Sequence, residues 1–137
     1  MRRLISLLII TMSMSSCFLS DWDVRLVLMN KTNHKIRYIE QLKNKKDFIP
    51  NSINCEIDEL NYINSNDKKI IRFHNKWDVY FKNHPNELLR IYIIDEDSLM
   101  KYGTCKILKQ QIFLNRYDLT YEDLVKLNWR VVCNEKD

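Results

Sequence analysis

The chain has 137 residues, enough for one globular domain, and it contains a single glycine and four cysteines. Loops that cradle phosphate groups and dinucleotide-binding turns need several glycines, so the composition excludes both kinds of site. The net charge of +4 is small and gives little support for binding to nucleic acid.

The first sixteen residues have the composition of a secretion signal. Arg2 and Arg3 form a short cationic start, and a mainly apolar run follows over residues 4–14. That run is too short to cross a hydrocarbon core of about 30 Å, which needs roughly 20 helical residues. It matches the apolar segment of a cleaved signal peptide. Removal of residues 1–16 takes away two of the 22 basic residues and none of the 18 acidic ones, which leaves a net charge of +2.

A four-residue motif surrounds the first cysteine. The segment Met14-Ser15-Ser16-Cys17 resembles the lipobox of bacterial lipoproteins, in which an aliphatic residue and two small residues precede a cysteine. The resemblance implies that a diacylglycerol is joined to the sulfur of Cys17, that residues 1–16 are removed, and that the new N-terminus is acylated. Two or more acyl chains hold a protein stably on a membrane. An ordinary cleaved signal with a chance cysteine, or a noncleaved anchor, are the alternatives.

The resemblance also divides the chain and suggests a location. Residues 17–22 become a lipidated tether, and residues 23–137 form one β-rich domain. In lipoproteins a residue other than aspartate after the cysteine favours the outer membrane, and Phe18 meets that condition. Phe18, Leu19 and Trp22 lie between the cysteine and the first predicted strand, where an aromatic ring can rest in the headgroup layer. The leaflet that the domain faces stays open.

Alternating apolar and polar residues predict several short strands. Residues 24–29 and 35–40 both alternate, and the turn-forming residues between them make a hairpin the simplest arrangement. Residues 41–52 are polar and predict a loop. Residues 88–94 form the most apolar run after the signal and predict a central strand. Further strands are predicted at residues 53–57, 68–74, 112–117 and 129–133.

Short helices are predicted between these strands. Aromatic residues recur with helical spacing over residues 77–81, and residues 95–98 precede a predicted helical stretch that reaches about Gln110 and is broken near Gly103. Thr120 can cap a following helix, with Asp123 at the third helical position of a near capping box. Asn128 is a plausible left-handed residue at the end of that helix.

The predicted elements indicate a mainly β fold. Roughly seven short strands with two or three short helices favour a small antiparallel sandwich behind an N-terminal signal helix, with a compact α+β domain as the alternative. Residues 116–124 (RYDLTYEDL) and 127–129 (LNW) are similar to the ends of small lipoproteins of Gram-negative gut bacteria. That similarity brings no established activity with it.

The remaining cysteines allow at most one internal disulfide. With Cys17 lipidated, Cys55, Cys105 and Cys133 remain, and one thiol is left over. The cell envelope is oxidising enough for a bridge, and all three pairings are open. No two of the cysteines have the spacing of a zinc site, so neither a metal nor a cofactor is predicted.

Four groups of residues are candidate chemical sites. Glu56 and Asp58, on a strand, would lie about 6.5–7 Å apart, within range of a glycosidase carboxylate pair, although alternating acids on a solvated face are commoner. Residues 95–97 favour helix capping over calcium binding. Asp97-Ser98-Leu99 resembles a weak O-glycosylation sequon of exported bacterial proteins. His74 and His84 are each a candidate general base, against a default of surface histidines.

Aromatic residues form the last candidate site. Four of them could make a sugar-stacking platform, although their spacing is more typical of a core: Trp77, Tyr80, Tyr92 and Trp129. The sequence therefore favours a noncatalytic, outer-membrane-anchored lipoprotein whose β-rich domain binds an envelope protein or glycan, with no nucleic-acid partner. A small envelope hydrolase acting on glycans is the alternative.

Overall fold

Seven strands and four helices are present in the described part of the chain, residues 22–45 and 61–135 of a computed structural model. The strands are β1 (Val27–Asn30), β2 (Ile36–Asn44), β3 (Asn61–Ile63), β4 (Lys68–Ile70), β5 (Glu87–Asp95), β6 (Asn115–Leu119) and β7 (Arg130–Cys133). The helices are α1 (Trp77–Asn83), α2 (Glu96–Tyr102), α3 (Thr104–Gln110) and α4 (Tyr121–Lys126). None of these helices is long and apolar enough to cross a membrane.

The strands form two sheets that share one core. A four-stranded antiparallel sheet has the order β3-β2-β5-β6, and a three-stranded sheet has the order β4-β1-β7. The larger apolar cluster takes buried side chains from both sheets and from α1 and α4. The mainly β prediction is confirmed, in a compact α+β arrangement. The one parallel pair joins β1 to β7, the first and last of the described strands.

The strand β5 is central, as its composition predicts. It lies between β2 and β6, and both of its faces are buried. Leu89, Ile91 and Ile93 face the core shared by the two sheets. Tyr92 and Ile94 face a second apolar cluster that includes buried residues of α3. A strand covered on both faces is apolar at most positions, which explains the run over residues 88–94, where Arg90 is the one charged residue.

The predicted hairpin between the first two strands is wrong, because β1 and β2 lie in different sheets. The turn residues carry the chain across instead. The buried Asn30 side chain donates hydrogen bonds to the carbonyl oxygens of His34, Ile63 and Asn64 at 2.8–3.2 Å. It therefore ties together two of the four connections between the sheets in the described chain, those from β1 to β2 and from β3 to β4. Local turn chemistry does not reveal which strand is the partner.

The predicted loop over residues 41–52 begins too early. The strand β2 continues to Asn44, because Gln41 to Asn44 pair with Arg90 to Glu87 of β5. This long-range pairing overrides the polar composition. The rest of that loop and the strand predicted at residues 53–57 lie outside the described residues.

The helix α4 has the predicted ends. The Thr120 hydroxyl accepts from the Asp123 backbone N–H at 3.2 Å, and the Asp123 carboxylate accepts from the Thr120 backbone N–H at 3.0 Å. At the other end, Asn128 has a φ of 50°. The backbone N–H of Trp129 donates to the Leu124 carbonyl at 2.8 Å, so the helix ends in a Schellman motif.

We expect the Thr120→Ala substitution to lower the free energy of unfolding by about 1 kcal/mol, because it removes the acceptor for an otherwise unpaired helical N–H. Urea denaturation measures the change. Thr104→Ala is the matched control, because the helix α3 has no side-chain cap. Equal losses in the two variants would contradict the capping role of Thr120.

Candidate functional site

A cleft of about 570 Å³ opens where the two sheets diverge. The strands β3 and β4 are joined by a short turn, yet β3 pairs with β2 and β4 pairs with β1. The sheets therefore separate at this edge and leave a concave surface with polar groups, which is the usual form of a ligand site. Its lining residues are Tyr38, Glu40, Asn61, Lys68, Lys69, Ile70, Ile71 and Arg72.

Two side chains of β2 supply the acidic and phenolic groups of the cleft. Tyr38 and Glu40 are two positions apart on one strand, so they project from the same face. Burial, followed by the charge of Glu40, raises the pKa of Tyr38 to about 12. Burial also raises the pKa of Glu40, although a hydrogen bond from its own backbone partly offsets this effect. Perturbed groups inside a cleft are typical of functional sites.

The neighbouring strands add nitrogen donors. Asn61 of β3 lies opposite Tyr38, and Lys69 of β4 lies opposite the fully buried Leu28, so both are at inward positions of their strands. A carboxyl, a phenol, an amide and an ammonium group thus line one cleft. This set can donate hydrogen bonds to, and accept them from, a ligand rich in hydroxyl or amide groups.

The described lining contains one carboxyl group, that of Glu40. Glycoside hydrolysis normally uses two carboxyl groups. Glu56 and Asp58, the predicted carboxylate pair, lie outside the described residues. Glu40 was missed in the sequence, although one signal was available. It continues the alternation of Ile36 and Tyr38, which places a charge on the apolar face of its strand.

The two candidate histidines lie away from the cleft and are exposed. The His74 ring packs edge-on against Trp22, with ring centroids 5.0 Å apart. The His84 ring stacks on Tyr80 at 4.4 Å, and its Nδ1 lies 2.9 Å from the Tyr80 carbonyl oxygen. The prediction of surface histidines is confirmed.

The four aromatic residues do not form a platform. Trp77, Tyr80 and Trp129 belong to or pack on the core between the sheets, whereas Tyr92 is buried in the other cluster. Sugar stacking needs an exposed ring face, and Trp77 and Tyr92 are 2% and 1% exposed. The core interpretation is confirmed.

The acidic residues at the start of α2 cap and stabilise that helix. Asp95 accepts a hydrogen bond from the Ser98 backbone N–H at 3.0 Å and from the Ser98 hydroxyl at 3.1 Å. Hydrogen bonds from Arg37, with a further one from Lys35, lower the pKa of Glu96 to about 2. The capping interpretation is confirmed. No group of three or more metal-binding side chains occurs among residues 22–45 and 61–135.

A second groove of about 250 Å³ lies between α1 and α4. Its lining carries charges of both signs, including Lys82 and Glu122. Glu87, which also lines it, accepts a hydrogen bond from the Tyr80 hydroxyl. Because the Glu87 carboxylate already accepts a hydrogen bond from within the protein, this groove is the weaker candidate for a ligand site.

The described cysteines have different states. Cys105 is disulfide-bonded, whereas Cys133 is free and buried, and burial raises the pKa of its thiol. The two pairings that involve Cys133 are thereby excluded. Cys17 and Cys55 lie outside the described residues.

No protein-family profile, curated protein or solved structure matches this chain.

We expect the Glu40→Gln substitution to stabilise the protein at neutral pH and to leave its stability unchanged in acid. Burial raises the pKa of Glu40 above its ordinary value of 4.5. Below about pH 4 the carboxyl is protonated in both the folded and the unfolded chain. As the pH rises through the raised pKa, the folded protein must ionise a buried group and loses stability.

Urea denaturation of Glu40→Gln and the unsubstituted protein at about pH 3.5 and about pH 7 measures this effect. The exposed Glu122→Gln is the matched control. A variant that is less stable at neutral pH would show that the Glu40 carboxylate has a stabilising partner.

Proposed function

We propose that the protein is an exported lipoprotein, anchored in the outer membrane through acyl chains on Cys17, and that its β-rich domain is a noncatalytic binding module. The observation that carries the proposal is the segment Met14-Ser15-Ser16-Cys17 directly after a short apolar run. One acyl chain binds a membrane only weakly, whereas the several chains of a lipoprotein hold it stably.

The disulfide at Cys105 supports export. Disulfides persist in oxidising compartments such as the bacterial periplasm and are rare in the cytosol. The bonded state of Cys105 is an observation on a residue of the folded domain, apart from the N-terminal apolar run. Both observations favour the cell envelope.

The anchor and the disulfide together restrict which cysteine can be bonded to Cys105. A sulfur atom cannot carry both a thioether and a disulfide, and Cys133 is free. If Cys17 carries the diacylglycerol, the cysteine left for Cys105 is Cys55. The proposal therefore fails if Cys105 is linked to Cys17.

The cleft supports the binding role. Its hydrogen-bonding groups come from three strands, and its volume of about 570 Å³ is within the range of small-ligand sites. We infer that it receives a polar segment of an envelope glycan or protein. The single carboxyl of its described lining favours recognition over hydrolysis.

Mass spectrometry of the protein purified from membranes tests the anchor. We expect an N-terminal peptide that begins at Cys17 and carries acyl chains, and a disulfide-linked peptide pair that contains Cys55 and Cys105. The Cys17→Ala variant should lose partition into the detergent phase. An unmodified Cys17 thiol, a retained leader, or full partition of the variant would overturn the proposal.

Binding assays on the acylated protein in detergent test the cleft. The probes are soluble peptidoglycan fragments and a detergent extract of envelope proteins. We expect Glu40→Gln to weaken binding at least tenfold while Asp97→Asn, at an exposed position away from the cleft and the second groove, leaves it unchanged. The absence of binding by the unsubstituted protein would overturn the role of the cleft. Turnover of the glycan that is lost in Glu56→Gln or Asp58→Asn would establish a hydrolase instead.

A further inference from the structure

The three-stranded sheet presents one face away from the core. Its inward positions, such as Leu28 and Val131, are buried between the sheets. The register sets the outward positions in two rows: Val27 lies between Ile70 and Arg130, and Met29 lies between Lys68 and Val132. We call these six residues the outer face: Val27, Met29, Lys68, Ile70, Arg130 and Val132.

The outer face combines apolar side chains with basic ones. Ile70 is 48% exposed and Val132 is 37% exposed, whereas Lys68 and Arg130 lie at the two edges of the sheet and are exposed. None of the six residues is acidic. Arg72 is exposed two positions beyond Ile70 on the same edge and extends the basic border.

An apolar centre with basic residues around it is typical of protein surfaces that lie on anionic bilayers. The apolar side chains enter the headgroup region, and the cations contact the phosphate groups. Contiguous exposed apolar surface on a small domain generally marks an interaction site.

The tether leads into the same three-stranded sheet. The central strand β1 is the first strand after the tether, and it is preceded by Trp22 and Val24, which are 41% and 51% exposed. Trp22 is five residues after Cys17, and a fully extended chain spans at most about 3.6 Å per residue. An acyl group on Cys17 would therefore hold Trp22 within about 18 Å of the acylated residue.

We propose that the outer face lies on the membrane surface, where Lys68, Arg72 and Arg130 bind anionic phosphate headgroups and the Trp22 ring enters the headgroup layer. This inference rests on the proposed lipid anchor. It also places the cleft beside the bilayer, because Lys68, Ile70 and Arg72 line the cleft as well.

Fluorescence of the acylated protein in vesicles tests the orientation. Vesicles of phosphatidylethanolamine are compared with vesicles that also contain phosphatidylglycerol, and acrylamide is the aqueous quencher. Trp77 and Trp129 are buried, at 2% and 8% exposure, and Trp22→Phe identifies the signal of Trp22. We expect phosphatidylglycerol to lower the acrylamide quenching of Trp22 at least twofold.

A triple variant tests the contribution of charge. Changing Lys68, Arg72 and Arg130 to alanine should abolish the effect of phosphatidylglycerol. The matched control changes Lys101, Lys106 and Lys109 to alanine, because these exposed residues lie on α2 and α3, on the other side of the four-stranded sheet. About 1 M salt should abolish the effect of phosphatidylglycerol in the unsubstituted protein, because it screens the charges. This test needs no substitution, so a misfolded variant cannot explain its result.

Sedimentation with vesicles separates this inference from the proposed anchor. Retained sedimentation with Trp22 equally quenched in both vesicle types would overturn the orientation and leave the anchor standing. Loss of sedimentation in the unsubstituted acylated protein would overturn the anchor. If the shielding of Trp22 from acrylamide depends on protein density in the vesicles, the outer face binds a second copy of the chain. If it depends on an added acidic envelope protein, the outer face binds that protein. Either result would overturn the inference.

Discussion

An ion pair between the buried Asp23 carboxylate and the partly exposed Arg25 guanidinium joins the N-terminal segment of the domain to the rest of the structure. Burial by itself would raise the pKa of Asp23, but hydrogen bonds from Arg25 and from the Trp77 backbone N–H outweigh burial and lower it. The backbone of Asp23 bridges Phe73, and the Arg25 guanidinium lies 4.1 Å from the Trp129 ring centroid. One carboxylate thus connects the segment before β1 with α1 and the segment before β7. Removing Arg25 would leave the buried Asp23 carboxylate without its charged partner, which is the costly way to break such a pair.

The proposed cleft and the outer face both depend on the way β4 leaves its neighbour in sequence. Because β4 pairs with β1 and not with β3, its inward Lys69 lines the gap between the sheets while Lys68 and Ile70 face outward. Asn30 joins two of the four described connections between the sheets, those from β1 to β2 and from β3 to β4, through three hydrogen bonds to backbone carbonyls. A short edge strand that carries lysines is also a poor template for pairing with another chain. The same strand therefore supplies side chains to two different surfaces.

Predictions that depend on nearby residues were accurate, and those that depend on distant partners were not. The capping box of α4 and the break at Gly103, which has a φ of 73°, follow from side chains within a few positions. The hairpin prediction failed because turn residues between two alternating segments do not specify which strands pair. The cleft was not foreseen because Glu40 and Lys69 are far apart in sequence. The one local indication of the cleft was that Glu40 lies on the same face of β2 as Ile36 and Tyr38.

The amino-acid sequence by itself determined the short apolar run near its start, the cysteine that follows it, the five-residue spacing from that cysteine to Trp22, and the local ends of the helices. Each of these depends on residue type and on the covalent distance along the chain. The tertiary structure alone decided the sorting of strands into two sheets, the state of Cys133, the gap beside Glu40 and the basic outer face. These features depend on contacts between residues that only long-range strand pairing brings together.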